Sequence, residues 1–172
     1  MNKSLLATHL LDTSVFIQAA RIYYPFDICP GFWSCLLYHC QTRQIVILDR
    51  VRAEIRRGND ELKEWINDMP RQFFASTKTP KVIVEFSALM QWVQNNDQFT
   101  DEAKSEFASV ADGWVVAYAK AYDLVVVTQE VYAADVKKRV PIPNVCRGFG
   151  VPYQDTFAFL RALNARFEWA KP

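Results

Sequence analysis

Several features that would assign this sequence to a membrane, secreted or repeat protein are missing. No segment approaches the roughly 18 consecutive apolar residues of a membrane-spanning helix. The apolar run near the N-terminus is interrupted by Asp12 and is followed by no small-residue cleavage site, so it does not fit a secretory signal peptide. No internal repeat or low-complexity tract is present. We therefore expect a cytoplasmic protein that does not associate with membranes.

An excess of charge of either sign is also missing. Twenty Lys and Arg residues balance nineteen Asp and Glu residues, which gives a net charge of +1 over 172 residues. Such a chain does not attract nucleic acid through its overall field, so any polyanion site must be local. The length and the 51% content of hydrophobic residues suit one core, and we expect a single domain over 1–172.

The cysteines form no C-x-x-C pair and match no disulfide framework, which also favours a reducing compartment. Cys35 and His39 lie one helical turn apart and could ligate a metal, but a zinc site needs three or four ligands. Free cysteines buried on an aromatic-rich helix are the commoner arrangement.

Strand-like and helix-like segments alternate along the chain. The predicted strands are 5–11, 44–48 and 124–128, with a weaker strand at 142–151 and an extended piece at 78–84. The predicted helices are 15–23, 31–42, 50–57, one opening at 60, 86–95, 101–107, 111–122 and 156–167, with Asp49 and Asp155 as N-caps. Apolar strands alternating with helices favour a three-layer α/β/α fold with a central parallel sheet.

Two carboxylates lie where predicted strands end. In "HLLDTSVFIQ", residues 9–18, Asp12 follows the first strand directly. In "VVVTQE", residues 125–130, Glu130 follows the strand that ends at Thr128. Ligands of open α/β sheets bind outside the carboxyl ends of the strands, so we expect both acids at one edge.

Two further acids lie on predicted helices beside apolar stripes. Asp112 precedes Val115 and Val116 by three and four residues, and Glu54 follows Val51 by three. An inward-facing carboxylate needs a partner, because burial without one raises its pKa. We expect these acids to lie near the strand-end acids, close enough to share a metal ion.

Each of the four acids also has a purely structural interpretation. Asp12 could cap the helix that follows it, and Asp112 could be an acid of a first helical turn. Glu54 could pair with arginines on its own helix, and Glu130 could be an exposed loop residue.

Four motifs occur in an order that resembles the PIN domain, a family of metal-dependent nucleases that includes the VapC-type toxins of toxin–antitoxin pairs. The motifs are "LLDTSVFI" with Asp12, "VRAEI" with Glu54, "ADGWVVAYAKAYDLVVVT" with Asp112 and "TQE" with Glu130. Three other segments resemble a bacterial PIN-like group largely without assigned substrates: "ARIYYPFDICPGFW", "RRGNDELKEW" and "FGVPYQDTFAFLRAL".

The resemblance implies that Asp12, Glu54, Asp112 and Glu130 are catalytic acids and ligands of Mg²⁺ or Mn²⁺. Crowded carboxylates favour such a hard cation, which prefers oxygen ligands. The implied reaction is hydrolysis of RNA that leaves 3′-hydroxyl and 5′-phosphate ends. Glu130 stands where the family commonly has Asp, and Asp135 is the alternative fourth acid.

Hydroxyl side chains beside the acids could orient them or the substrate. These are Thr13, Ser14 and Thr128, of which Ser14 stands where the family commonly has Asn. Ser14 could equally serve only as a helix cap.

Basic and aromatic residues near the acids could bind RNA. The basic runs 50–57 and 137–139 flank the predicted site, and the proposed phosphate ligands are Arg50, Arg57, Lys137 and Lys138. Both runs could instead be solvated helix faces. An aromatic group could stack bases, although a core or dimer surface is the more common role: Tyr23, Tyr24, Phe32 and Trp33.

The favoured function is thus an endoribonuclease with RNA, a cognate antitoxin and a second copy of the chain as partners. A catalytically silent PIN-like RNA-binding module and a DNA-directed nuclease of the same fold are the alternatives. A haloacid-dehalogenase-type phosphatase would need a second Asp at the position of Ser14.

Overall fold

The computed structural model describes residues 8–168, in which helices flank a parallel β-sheet. The strands are His9–Leu11 (β1), Ile45–Leu48 (β2), Phe74–Ala75 (β3), Val125–Val127 (β4) and Tyr153–Gln154 (β5). They pair in the order β3-β2-β1-β4-β5, and every pairing is parallel. The predicted α/β fold with a central parallel sheet is confirmed.

The helices connect the strands across the two faces of this sheet. They are Thr13–Gln18 (α1), Pro30–Gln41 (α2), Asp49–Ile55 (α3), Glu61–Asp68 (α4), Pro80–Gln94 (α5), Asp101–Ser109 (α6), Asp112–Tyr122 (α7), Ile142–Phe149 (α8) and Thr156–Ala162 (α9). A π-helical turn, Ala19–Tyr23, continues α1. Between residues 8 and 168, no helix has the length and apolar character needed to cross a bilayer.

The sheet has a topological switch point at its central strand. The chain moves outward from β1 to β2 and β3, and then returns to β4 on the other side of β1 through α5, α6 and α7. In this topology α7 packs on β1 and β4. Connections that leave a strand in opposite directions open a crevice at the carboxyl ends, here between β1 and β4.

The registers of the central strands bring specific side chains to that crevice. Leu11 pairs with Val127, so the residues that follow them, Asp12 and Thr128, emerge side by side. The apolar residues of these strands belong to one hydrophobic core that runs from Leu10 to Leu160.

Two sequence predictions about the path of the chain are wrong. Residues 78–84 were expected to be extended, but Pro80 begins α5 there, since proline suits a first helical turn. The strand expected at 142–151 is replaced by helix α8 over Ile142–Phe149. Its Pro143 lies in the first turn, where a missing N–H removes no intrahelical hydrogen bond.

Other boundaries shift by a few residues. Asp49 is the first residue of α3 and not its N-cap, and its carboxylate accepts hydrogen bonds from the backbone and side chain of Thr77. The last helix ends at Ala162, before the predicted 167. Two-residue strands β3 and β5 were not predicted. Residues 5–7 of the predicted first strand lie outside the described residues.

Candidate functional site

Asp12 lies at the carboxyl end of β1 and is only 2% exposed. Its carboxylate accepts hydrogen bonds from the N–H groups of Thr13 (2.6 Å) and Ser14 (3.3 Å), so it caps α1. The hydroxyls of Ser14 and Thr128 also donate to it, at 2.5 and 3.0 Å. Burial raises the pKa of Asp12 to about 6, and these hydrogen bonds oppose the rise. Asp12 is therefore both a helix cap and a buried acid at the switch point.

The predicted orienting hydroxyls connect the two central strand ends. The Ser14 hydroxyl accepts a hydrogen bond from the Gln129 N–H at 3.0 Å, and the Thr128 hydroxyl accepts one from the Glu130 N–H at 3.1 Å. Both hydroxyls also donate to Asp12, so the loop after β4 is fixed relative to the end of β1.

Glu54 connects three elements of the fold through its two carboxylate oxygens. One oxygen accepts a hydrogen bond from the Thr13 hydroxyl at 2.6 Å, and the other accepts one from the Ala111 N–H at 2.7 Å. Glu54 therefore holds the start of α1 and the start of α7 against α3. It forms no salt bridge with the arginines of its own helix, since the salt bridge formed among residues 8–168 joins Arg21 to Asp60.

Asp112 is the first residue of α7 and is half-buried. Burial raises the pKa of Asp112 to about 8, and the charges of Asp12, Glu130, Glu54 and Glu106 contribute to the rise. No hydrogen bond from a residue within 8–168 offsets it. Asp112 is therefore the least compensated acid of the group.

Acidic side chains from four elements line one cavity of 260 Å³ at this edge of the sheet. The acids are Glu54, Glu106, Asp112 and Glu130, and Arg139 completes the polar wall. Apolar side chains of α6 and neighbouring loops form the remainder, Ala103, Phe107, Val110 and Val140. We refer to these nine residues together with Asp12 as the acidic cavity.

Glu130 is half-buried and is not an exposed loop residue. One of its carboxylate oxygens accepts a hydrogen bond from the Ile142 N–H, at 2.7 Å, where α8 begins. Asp135, the alternative fourth acid, is exposed and is not among the residues that line the acidic cavity. The structure therefore brings Glu130, and not Asp135, to the other acids.

Two charged residues of the acidic cavity are missing from the set of predicted site residues, Glu106 and Arg139. Glu106 lies three residues after buried Ala103 and next to buried Phe107, the same position beside an apolar stripe that indicated Glu54. Arg139 ends the basic run 137–139, while Lys137 and Lys138 are exposed and do not line the cavity.

The predicted phosphate ligands on α3 are also outside the acidic cavity. The Arg50 guanidinium lies 4.2 Å from the centre of the Trp114 ring, and its Nε donates a hydrogen bond to the Thr77 hydroxyl at 3.3 Å. Arg57 is exposed. A role for Arg50, Arg57, Lys137 and Lys138 in RNA binding stays a prediction.

The aromatic residues considered as base-stacking surfaces belong mostly to the core. Phe32 and Trp33 are buried, and Tyr24 stacks on Phe32 with 4.4 Å between ring centres. With Phe26 and Trp65 these three residues form what we call the aromatic cluster. His39, the possible partner of Cys35 in a metal pair, hydrogen-bonds Gln44 through its ring, and Cys35 is a free thiol.

The donor chemistry of the acidic cavity suits Mg²⁺ or Mn²⁺. Its acids offer only oxygen ligands, and a cation would offset the burial and the neighbouring charges that raise the pKa of Asp112. In the described part of the chain, no three His, Cys, Asp or Glu side chains are arranged to hold a metal ion together. Since Glu54 and Glu130 are engaged with backbone N–H groups, Asp112 is the carboxylate most available to a cation.

A protein-family model matches nearly the whole chain. The chain belongs to the family described as Domain of unknown function (DUF4411), whose model matches residues 9–167. This range includes every residue of the acidic cavity. No curated protein matches the chain.

Proposed function

We propose that this protein is a metal-dependent endoribonuclease of the PIN-like type and that the acidic cavity is its catalytic centre. The main support is the convergence of Asp12, Glu54, Asp112 and Glu130 from four different elements on the switch point of a parallel sheet. Such a site raises the free energy of the fold unless a cation binds, as is common where function is favoured over stability.

The resident cation would be Mg²⁺ or Mn²⁺, held by Asp112 and Asp12, whereas Glu54 and Glu130, the other predicted ligands, would contribute through their nearby charge. When bound, the ion lowers the pKa of a water molecule and neutralises charge that develops on the phosphodiester. Mg²⁺ is commonly held by one or two protein carboxylates, with waters and substrate phosphates completing its shell, so a full protein cage is not needed.

The residues of the chain have separate roles in this proposal. Glu54 fixes α7, and hence Asp112, relative to α1 through its bonds to Ala111 and Thr13. Ser14 and Thr128 set the orientation of the Asp12 carboxylate. Arg139, the basic residue in the wall, would bind a phosphate oxygen of the substrate.

The proposal extends to the partners that the PIN resemblance implies. We propose a toxin role with a cognate antitoxin, and a homodimer as the assembled form. A small DNA-binding protein encoded by the neighbouring gene would support the toxin role, and sedimentation of the purified protein would report the dimer. Neither result bears on the cleavage reaction itself.

Cleavage of labelled single-stranded and structured RNAs tests the reaction. We expect cutting with Mg²⁺ or Mn²⁺ that EDTA abolishes, and products with 5′-phosphate and 3′-hydroxyl ends. Asp112→Asn should lower the rate by more than about 100-fold, since removing even a residue that only hydrogen-bonds to a metal ligand costs about 10- to 100-fold. Asp123→Asn is the matched control, because Asp123 ends the same helix with a φ of 55°, a conformation that Asn tolerates.

The same assay separates the alternatives. Wild-type protein that binds RNA but cuts neither RNA nor single-stranded DNA would be a silent RNA-binding module. Cutting confined to DNA would indicate a DNA-directed nuclease. Asp112→Asn protein that cuts RNA as fast as the Asp123→Asn control would rule out the acidic cavity as the catalytic centre.

A further inference from the structure

A second cleft, of 410 Å³, shares Glu130 as a lining residue with the acidic cavity. Its polar wall comes from the loop after β4, from α8 and from the end of β5, and includes Glu130, Tyr132, Arg147, Tyr153, Gln154 and Asp155. This volume lies within the range of about 300–1,000 Å³ typical of ligand sites. Because Val127 pairs with Gln154, the cleft lies at the same carboxyl edge of the sheet as Asp12 and Thr128.

The cleft contains a planar cationic surface held between two tyrosines. The Arg147 guanidinium lies 3.6 Å from the centre of the Tyr132 ring. Its Nε donates a hydrogen bond to the Tyr153 hydroxyl at 3.2 Å. These contacts hold Arg147 while leaving it exposed to solvent, and it forms no salt bridge with any residue within 8–168. The contact between Arg147 and Tyr132 is not part of the hydrophobic core, because Tyr132 is itself 38% exposed.

A residue whose side-chain nitrogen has no partner lines the same cleft. The side-chain nitrogen of Gln154 is buried and donates no hydrogen bond to any residue between 8 and 168. A buried donor without an acceptor is unfavourable, so a side-chain rotation that brings this nitrogen to an acceptor on a ligand would be favoured.

We propose that this cleft binds one unpaired nucleobase of the substrate strand, next to the phosphodiester in the acidic cavity. Single-stranded nucleic acids are bound by stacking bases on aromatic rings and on Arg guanidinium planes, which matches Tyr132 and Arg147. After that rotation, the Gln154 amide would donate to a ring nitrogen or carbonyl oxygen of the base. Glu130 and Thr128 line the cleft, and Glu130 also lines the cavity, so the base and the scissile phosphate belong to neighbouring nucleotides.

This inference rests on the proposed function for its substrate, and binding and cleavage are therefore measured separately. The probe is a labelled single-stranded RNA of mixed sequence, with a series of copies that each lack one base. Fluorescence anisotropy at low salt in EDTA, where the RNA stays intact, gives the dissociation constants. We expect one abasic position to weaken wild-type binding about tenfold.

The Tyr132→Ala variant should weaken binding of intact RNA about as much, and should make binding insensitive to that abasic position. Arg147→Lys keeps the charge but should also weaken binding and make it insensitive to that abasic position, because an ammonium group offers no plane for stacking. Tyr122→Ala is the matched control, since Tyr122 is 40% exposed and carries Lys81 5.0 Å from its ring centre, outside both cavities.

The base site is overturned if wild type does not bind the RNA or if no abasic position weakens binding. It is also overturned if the missing base and Tyr132→Ala each raise the dissociation constant independently, so that their fold-changes multiply in combination. Thermal unfolding of each variant checks that it is folded. Base-dependent binding without cleavage in Mg²⁺ or Mn²⁺ would reject the nuclease and keep the base site. Cleavage that is unchanged by Tyr132→Ala and by every abasic position would keep the nuclease and reject the base site.

Discussion

The aromatic cluster and the acidic cavity use buried side chains in opposite ways. In the aromatic cluster, Tyr24 stacks on Phe32, Phe26 stacks on Trp33 with 3.9 Å between ring centres, and the Trp33 indole donates to the Tyr24 carbonyl. In the acidic cavity, burial and then the neighbouring like charges raise the pKa of Asp112 to about 8. Packing therefore stabilises the fold in the first region, whereas charge destabilises it in the second. The residues that stabilise the fold and the residues of the proposed activity therefore lie in separate parts of the chain.

The largest expected effect on stability comes from opening the aromatic cluster. Phe32→Ala removes a fully buried ring and should lower the free energy of unfolding by about 3–5 kcal/mol. Urea denaturation followed by circular dichroism measures this change. Ile28→Ala, at a residue 76% exposed near the same helix, should have almost no effect. Equal losses in the two variants would remove the distinction between the two regions.

An intermediate effect is expected from pH in the metal-free protein. The folded state holds the Asp112 proton up to a pKa of about 8, whereas an unfolded Asp releases it near its ordinary 3.8. The unfolded state therefore gains stability relative to the folded state as pH rises from about 4 to 8. Asp112→Asn removes this titrating group. The free energy of unfolding of the variant should therefore exceed that of wild type by a margin that grows from pH 4 to pH 8 to roughly 2 kcal/mol or more.

Denaturation of both proteins in EDTA at several pH values tests the sign. Burial lowers the pKa of His9, so its contribution to stability changes with pH in the direction opposite to that of Asp112. Subtracting the wild-type free energy of unfolding from that of the variant at each pH cancels this contribution. A stability difference that stays constant from pH 4 to pH 8 would mean that Asp112 titrates normally in the fold.

The smallest expected effect distinguishes two acids within the acidic cavity. Asp12 has four hydrogen-bond donors and caps α1, so Asp12→Asn should cost about 1 kcal/mol near pH 5, where its charge is partly neutralised already. Asp112→Asn should not destabilise the apo protein under the same conditions. Thermal unfolding of the two variants side by side measures the contrast. Stabilisation by both substitutions would show that repulsion outweighs hydrogen bonding at Asp12 as well.

The positions of the four predicted acids could be inferred from sequence because each lies beside a strong apolar pattern. Asp12 follows a strand that is buried throughout, and Asp112 opens a helix whose inward residues are Ala and Val. Parallel strands place their carboxyl ends at one edge, so the convergence of these acids follows from the fold class.

The remaining features depend on tertiary structure that no local pattern reports. Strands β3 and β5 have two residues each, too few to show a period. Helix α8 begins in a segment with two prolines, a pattern typical of a segment that cannot be helical. Both prolines, however, lie at or before the first helical turn, where proline is tolerated. The hydrogen bond from Ala111 to Glu54 joins residues 57 positions apart. Glu106 and Arg139 reach the cavity only because α6 and the loop before α8 fold back onto α7.

Because β1 is the central strand of the sheet, its two strand pairings become possible at different times during synthesis. When the chain has been made as far as β3, β1 can pair with β2 and β2 with β3, but the other edge of β1 stays bare until β4 follows. At that stage the chain carries Asp12 and Glu54 without Asp112 or Glu130. The nascent chain therefore cannot assemble the acidic cavity until Asp112 and Glu130 have been made, and the proposed cleavage would have to wait until then.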